Sequence, residues 1–579
     1  MRRLFQKYKA VRAFVGSTLS AFLLLIAVSP LQAQVRYNDG RYFSSRSAAL
    51  GEHGMVCTSQ PFATEIGLEI LKEGGTAIDA AIAANAMLGL MEPTGNGMGG
   101  DIFAIVWDAK SKRLIGLNGS GRSPQSLELS YFTEHGLKMI PSYGALSVSV
   151  PGCVDGWYML HDRFGKLPME RLLKPTIEYA LNGFPVTEVI AHSWANYAKI
   201  LKKYAGYRRV YMPGGKTPAM GEIFKNPELA HTLQLLVKNG REAFYNGPVA
   251  DSIEKTVHAE GGFLSRSDLA AYHGQWVEPV STNYRGYDIW ELPPNTQGLA
   301  VLEMMNILEQ FDIKSMGFGS VQYMHHFIET KKLVYEDRAR YYADPDFYKV
   351  PLQGLLSKEY AAQRSRLINP EKALDSLFAG DPSRFGNTIY LTVADQYGNM
   401  VSFIQSNYAG MGSGIIPDGC GFSLQNRGCS FNLAQGMPDS YAPGKRPFQT
   451  LIPGFITRKG EPFLSFGVMG ADMQPLGQVQ VLVNLIDFGM GIQEAGDAAR
   501  INHLGSSTPE GEGAKGPGTV LLEEGGFAPL VIAQLQRMGH VIGHDLTGYG
   551  GYQAIMRDSV NHVYHGASEF RKDGFAAGY

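Results

Sequence analysis

The chain has no surplus of basic charge: 52 lysines and arginines stand against 54 aspartates and glutamates. Nothing in that balance would follow a phosphate backbone, so nucleic acid is excluded as a partner. Cysteine is scarce, with four residues in 579, and no C-x-x-C or H-E-x-x-H phrase occurs. Only His53 lies within a few residues of a cysteine, Cys57, so no metal site is expected. Past the first thirty residues no apolar run approaches the ~20 residues that span a bilayer. Charged residues at 18% and hydrophobic residues at 44% exclude disorder and coiled coil. What the chain has in excess is glycine, 69 residues, placed in turns and clustered loops without a collagen-like repeat. At about 150 residues per domain the length admits three or four domains, or one large α/β body with long excursions.

Arg2, Arg3, Lys7, Lys9 and Arg12 precede an apolar run from Ala13 to Val28, and small Ala33 follows Pro30. That order reads as a secretory signal over residues 1–33, with a periplasmic or secreted product and no membrane association once it is removed. In an oxidising compartment Cys57, Cys153, Cys420 and Cys429 allow three disulfide pairings, and buried free thiols remain equally open.

Pro61 to Glu73 carries a broad apolar face ended by Gly74-Gly75, which predicts a helix. Alanine-rich Ala77 to Met91 predicts a second, stopped by Glu92-Pro93. Gly95-Asn96-Gly97-Met98-Gly99-Gly100-Asp101 has glycines in the manner of a dinucleotide loop, but a helix precedes it and a strand, Ile102 to Trp107, follows. The nucleotide-binding context is the reverse, so a tight connection beside a site or between packed elements is expected instead. His325, His326 and Glu329 lie on one predicted helix without a complete ligand set, and read as a structural or solvated group. Thr508 to Thr519 reads as a loop and Phe527 to Met538 as a late helix.

The segment from Gly386 to Phe431 is the most informative. Thr388 to Asp395 alternates in strand fashion, Gln396-Tyr397-Gly398-Asn399 turns, and Met400 to Gln405 returns, predicting a hairpin. Gly410, Gly412 and Gly414 would let backbone pass close to the head of that hairpin. By spacing alone, a threonine opening a strand is ordinary β-branched filling as readily as a nucleophile.

Over nearly its whole mature length the sequence resembles the γ-glutamyltranspeptidase family of N-terminal nucleophile hydrolases. The matching phrases include His53-Gly54-Met55-Val56, Gly74 to Ala81 (GGTAIDAA), Gly144 to Gly152 (GALSVSVPG), Asp337 to Tyr341 (DRARY), Asn387-Thr388, Gly398-Asn399, Gly412-Ser413-Gly414 and Arg571 to Gly574 (RKDG). The resemblance implies an α/β (α+β) fold, a four-layer αββα sandwich, made as a precursor. It implies self-cleavage between Asn387 and Thr388 into a large subunit, 34–387, and a small catalytic subunit, 388–579, the two fragments being each other's partners. Thr388 then supplies both the hydroxyl nucleophile and, as a freed α-amine with an ordinary pKa of about 7.7–8.0, the base. No cofactor is implied.

Aligned on the family's motifs, Ser406 stands where a threonine usually orients the nucleophile, and Gly470-Ala471 where two glycines offer N–H groups to the oxyanion. The substrate-binding phrases depart further. Arg122 comes two positions later than the usual carboxylate-binding arginine. Gln425 to Phe431 (QNRGCSF) has Ser430 in place of the acidic partner for a substrate α-amine, with Arg427 close by. Gln449-Thr450 replaces a serine pair, Tyr408 an asparagine, and Asp472 could restore the missing carboxylate. These features are similar to the divergent branch that includes oxamate amidohydrolase and glutathione-hydrolase-like proteins. The resemblance implies a self-processing amidase for γ-glutamyl compounds such as glutathione, by hydrolysis with possible transfer. The alternatives are another small acidic amide, oxamate-like, and a binding protein without turnover.

Overall fold

Two residue periods build the architecture. In the strand β3 (Asp101–Asp108) Ile102, Ala104 and Val106 join a cluster with helices, while Phe103, Ile105 and Trp107 join a different cluster shared with the opposite sheet. Alternation by two on a strand buried on both faces requires a layer above and a layer below. In this computed structural model, residues 44–374, 388–514, 516–545 and 547–579 are described.

The remaining strands of the two main sheets are β1 (Ala49–Gly51), β2 (Met55–Thr58), β4 (Arg113–Gly119), β5 (Gln275–Val277), β6 (Val280–Tyr284), β7 (Tyr287–Glu291), β8 (Ile389–Ala394), β9 (Met400–Ser406), β10 (Gly454–Arg458), β11 (Glu461–Met469), β12 (Gly551–Asp558), β13 (Val563–Ser568) and β14 (Phe575–Gly578). One seven-stranded sheet runs β14-β2-β8-β9-β3-β4-β5 and the other β1-β13-β12-β11-β10-β7-β6, both antiparallel throughout. Between them lies an apolar layer including Met55, Phe103, Tyr390, Ile404, Phe455 and Ile555. Outside the first sheet pack α1 (Pro61–Lys72), α2 (Ala77–Met91) and α3 (Cys153–Phe164). Still in the first half, α4 (Glu188–Leu201) reaches the rim of the site. Outside the second sheet pack α5 (Gly298–Leu308), α6 (Val321–Tyr341) and α7 (Met473–Ile486). The result is the expected αββα sandwich.

Local chemistry explains why these pieces form. Thr76 caps α2 by accepting from the Asp79 N–H, and the Asp79 carboxylate accepts from the Thr76 N–H, a reciprocal box whose loss costs about 1 kcal/mol. Alanines let α2 sit close against β8 and α1, and almost every residue of the helix is buried. The β8–β9 hairpin pairs Ile389 with Gln405 through Ala394 with Met400, and Asp395 fixes its turn by accepting from the N–H groups of Tyr397 and Asn399. The α6 helix covers the helical segment that holds His325, His326 and Glu329, and the late helix spans Pro529–Arg537. All four cysteines are buried free thiols, which settles the open alternative against disulfides. Residues 1–33, expected from the sequence to be a secretory signal, and Asn387 lie outside the described residues. Among the described residues no helix is long and apolar enough to cross a membrane.

Candidate active site

Thr388 immediately precedes β8, in the middle of its sheet, and is 2% exposed. Because Ile389 pairs with Gln405, Thr388 faces Ser406 at the end of β9. Thr388 Oγ1 donates to Ser406 Oγ over a long 3.4 Å, and Ser406 Oγ accepts from the Tyr408 N–H at 2.8 Å. A hydroxyl contact of this length is weak as it stands.

The glycine-rich connection forms the wall beside this residue. A Cβ on Gly95 would lie 3.3 Å from the Thr388 carbonyl carbon, and one on Gly100 only 2.3 Å from Ser406 O. The Gln405 side chain clasps Gly97, accepting from its N–H at 3.1 Å and donating to its carbonyl at 2.6 Å. Gly95 O accepts from the Asn407 N–H. The glycines therefore allow backbone to lie directly against the head of β8, with no phosphate-binding helix terminus.

Thr388 opens onto a cavity of about 840 Å³, whose wall includes Tyr408, Gly470, Asp472, Arg338 and Lys331. Gly470 (φ +123°) and Ala471 (φ +50°) make the turn between β11 and α7, with left-handed backbone that strains alanine more than glycine. Gln297 Nε2 anchors this turn by donating to Ala471 O at 2.9 Å and to Thr450 O at 2.9 Å. Gly470 lies on the cavity wall beside Thr388, a position suited to an oxyanion-facing N–H.

Tyr408, also left-handed (φ +75°), separates the cavity from a buried charge. The Arg427 guanidinium stacks 3.9 Å from the Tyr408 ring centroid and donates from Nη1 to Thr450 Oγ1 at 3.0 Å. Its Nε and Nη2, like Ser430 Oγ, have no hydrogen-bond partner among the described residues. Burial holds this guanidinium below its ordinary range, opposed by Tyr408 and Asp101. Asp101 accepts from the Gly121 N–H at 2.9 Å, Gln425 Nε2 at 2.7 Å and Gln449 Nε2 at 2.5 Å. Burial raises its carboxyl to about 6, with Arg427 pulling it back down. The arrangement is a buried threonine hydroxyl on one side of an aromatic screen and an arginine with unused donors on the other.

Comparison with known proteins decides the family. The Gamma-glutamyltranspeptidase family pattern matches residues 63–579. The chain belongs to that family. It is 34% identical to the glutathione hydrolase-like YwrD proenzyme of Bacillus subtilis, covering 92% of this chain and 99% of that one. It is 32% identical to the oxamate amidohydrolase proenzyme of Klebsiella pneumoniae, covering 92% and 100%. The solved structure of cephalosporin acylase from Bacillus halodurans superposes with a TM-score of 0.86 at 40% identity, covering 94% and 99%. The chain is thus an enzyme, a self-processing amide hydrolase of the N-terminal nucleophile type, and the reading as a binding protein without turnover falls away.

Not every residue marked in this family member's sequence converges on the cavity. Arg122 donates to Asp346 Oδ2 at 2.7 Å and to Gly444 O at 2.9 Å, lies 3.7 Å from Asp344, and is absent from the cavity wall. Arg446 shares the same two acids, so a four-charge cluster holds this arginine. Asp472 does reach the cavity, but its carboxylate pairs with Arg338 Nη1 at 2.6 Å. Gln449 turns its amide nitrogen to Asp101 and to Ser120 Oγ at 3.0 Å.

Sequence reasoning gave no role to Asp101, Lys331 or Arg338. Asp101 ends the glycine run, and Arg338 sits within the D-R-A-R-Y phrase, which were the available signals. One group of metal-ligand type exists among the described residues, His325, Glu329 and His540, with ligand atoms within 4.8 Å of one another. Its atoms are already engaged: His325 Nε2 donates to Asn369 O, His325 Nδ1 is 2.8 Å from His540 Nε2, and Glu329 pairs with Lys332 at 2.8 Å. His326 is tied to Gln322 O.

Proposed function

We propose that the chain, after export from the cell and loss of residues 1–33, cuts itself between Asn387 and Thr388 and hydrolyses amides of small acidic acyl groups. Fragments 34–387 and 388–579 stay together, because β8 and β9 pair inside one sheet with β2 and β3. The Thr388 hydroxyl attacks the amide carbonyl and passes its proton to its own α-amine. The collapsing intermediate leaves an acyl ester on Thr388 Oγ1 and returns that proton to the departing amine. Water then attacks the ester, its proton taken by the α-amine and handed to Thr388 Oγ1 as the acyl–oxygen bond breaks, which frees the acid and restores the hydroxyl. Ser406 orients the hydroxyl, and Gly470 with Ala471 faces the oxyanion, where one lost donor typically costs ~2.7–4 kcal/mol. Tyr408 screens the acyl pocket, with Arg427, Ser430, Gln449 and Thr450 around it.

The observation that carries the substrate class is the buried Arg427 with two unused donors beside the nucleophile's cavity. A buried guanidinium with unpaired N–H groups is costly unless an anion meets it, and a substrate carboxylate is such an anion. The first candidates are γ-glutamyl compounds such as glutathione, in keeping with the 30% identical glutathione hydrolase proenzyme of Escherichia coli. A second reading, another acidic amide without an α-amine, is favoured by a specific feature: Ser430 carries no charge and Asp472 is already paired with Arg338. Arg122, held by Asp344 and Asp346 away from the cavity wall, is assigned no part in holding the substrate. Release of the amine from glutathione, a glutaryl amide and oxamate, measured in parallel, tests both readings. Turnover of none of the three contradicts the proposal, and turnover of glutathione alone removes the second reading.

A further inference from the structure

The α6 face along the cavity presents Lys331, Tyr335 and Arg338 at the i, i+4, i+7 spacing of one helical stripe. Arg338 meets Asp472, and Tyr335 donates to the Asp472 carbonyl, so this end of the stripe abuts the Gly470–Ala471 turn. Lys331 is seven residues, about 10 Å, further along the helix axis. It is 2% exposed, yet it lies on the cavity wall.

Its direct partners are neutral, and an anion that reached it would favour its protonated form. Pro517 offers only a carbonyl, so His503 Nε2 must donate to it at 2.9 Å, leaving Nδ1 as an acceptor. Lys331 Nζ therefore donates to His503 Nδ1 at 3.1 Å, and it donates to Ser506 Oγ at 2.8 Å. The amine also lies 4.0 Å from the centroid of the Tyr335 ring, a cation–π contact. An ammonium has three donors, and no carboxylate among the described residues lies within ion-pairing distance of this one. Burial, reinforced by Arg338 and Lys332 and only partly offset by Asp472 and Glu336, pushes the amine well below its ordinary range, the expected cost of a buried cation with no carboxylate in direct contact.

We infer that Lys331 is the receptor for a carboxylate on the leaving-amine side of the scissile amide. The inference rests on the proposed amidase reading and adds its second half. The acyl carboxylate is directed to Arg427 behind Tyr408, whereas Lys331 forms part of the cavity wall, about 10 Å along α6 from the arginine that abuts the Gly470–Ala471 turn. A cavity of this size takes more than a small acyl group, and the ammonium's remaining donor gives it a place to fix an amino acid or short peptide by its carboxylate.

The test uses two leaving amines that differ by one carboxylate, 4-nitroaniline and 5-amino-2-nitrobenzoate. Calorimetric titration into the processed wild-type protein should show the aminonitrobenzoate binding at least about tenfold more tightly, the order of one charge-assisted hydrogen bond. Lys331→Met should abolish that preference and Lys331→Arg should retain most of it. With glutaryl anilides of the same two amines, Lys331→Met should lower kcat/KM at least about tenfold for the carboxylated substrate only. Equal binding of the two amines by the wild type, or an equal loss on both anilides, overturns the inference. A wild type that prefers the carboxylated amine but hydrolyses neither anilide supports this site and contradicts the amidase reading, so the two failures are distinguishable. If Lys331→Met does not fold, the amine preference of the wild type and of Lys331→Arg still decides.

Discussion

Replacing Arg427 by methionine removes one charge from a fully buried position and the cation–π stack on Tyr408, while refilling most of the side-chain volume. The two donors without partners, Nε and Nη2, are those left to hold a substrate carboxylate. At about 1.5–3 kcal/mol for each bond to a charged group, two bonds amount to roughly 3–6 kcal/mol. At 1.36 kcal/mol per decade, kcat/KM for an acidic amide should fall at least about a hundredfold. A glutaryl anilide and the butyryl anilide that lacks the carboxylate separate this from general damage, because only the first should lose. A second readout comes from Asp101. Its carboxyl, already raised to about 6 by burial, loses the opposing attraction of Arg427 and moves higher. A folded pKa above the unfolded value of about 3.9 means that stability falls as pH rises through that window, and the variant extends the window upward. The melting temperature of Arg427→Met should therefore drop more at pH 8 than at pH 5. Equal losses on both anilides, or none on either, would refute the assignment of Arg427 to the acyl carboxylate.

Three further outcomes are expected. Turnover should rise with pH as the Thr388 α-amine loses its proton, near or somewhat below its ordinary 7.7–8.0; a flat rate from about pH 5 to 9 with chemistry limiting contradicts that base. Ser430→Asp with Arg427→Gln should shift preference toward γ-glutamyl donors over their amine-free analogues, and an unchanged ratio of kcat/KM values would show that Ser430 does not border the α-amine. Burial lowers His540 to about 3, so the unfolded chain takes up a proton near pH 6.5 that the folded chain refuses. Stability should decline as pH falls from about 6.5 toward 3, by up to about 1.4 kcal/mol per unit from this residue, and His540→Asn should show a shallower decline in denaturant titrations.

What the sequence displays and what it conceals divide along separation in the chain. The capped alanine helix, the β8–β9 hairpin and the glycine connection are written in contiguous residues, so period, caps and turn chemistry are enough to find them. That Gly95 would touch Thr388 is already a contact across 293 positions, and spacing could only offer it as one of two readings. The charge network escapes entirely: Asp101 meets Gln425, Gln449 and the field of Arg427, and Arg122 meets Asp344 and Asp346, each pair brought together only by the sandwich. Thr388 itself became visible through the order of family phrases around it, because a threonine at a strand head is commonplace. The buried thiols show the same limit, since the leader-like start read from the sequence would permit disulfides, whereas all four cysteines are free in the fold.

Sequencing the N-terminus of the smaller fragment tests the central claim most directly. Purified protein, resolved under denaturing conditions, should give two fragments, and the smaller should begin at Thr388 and continue Ile389-Tyr390-Leu391. Thr388→Ala should remain a single chain, and Thr388→Ser should process, because a primary hydroxyl can make the same shift of the acyl group. A small fragment that starts at any other residue, or an active wild-type protein that is never cut, would contradict the account.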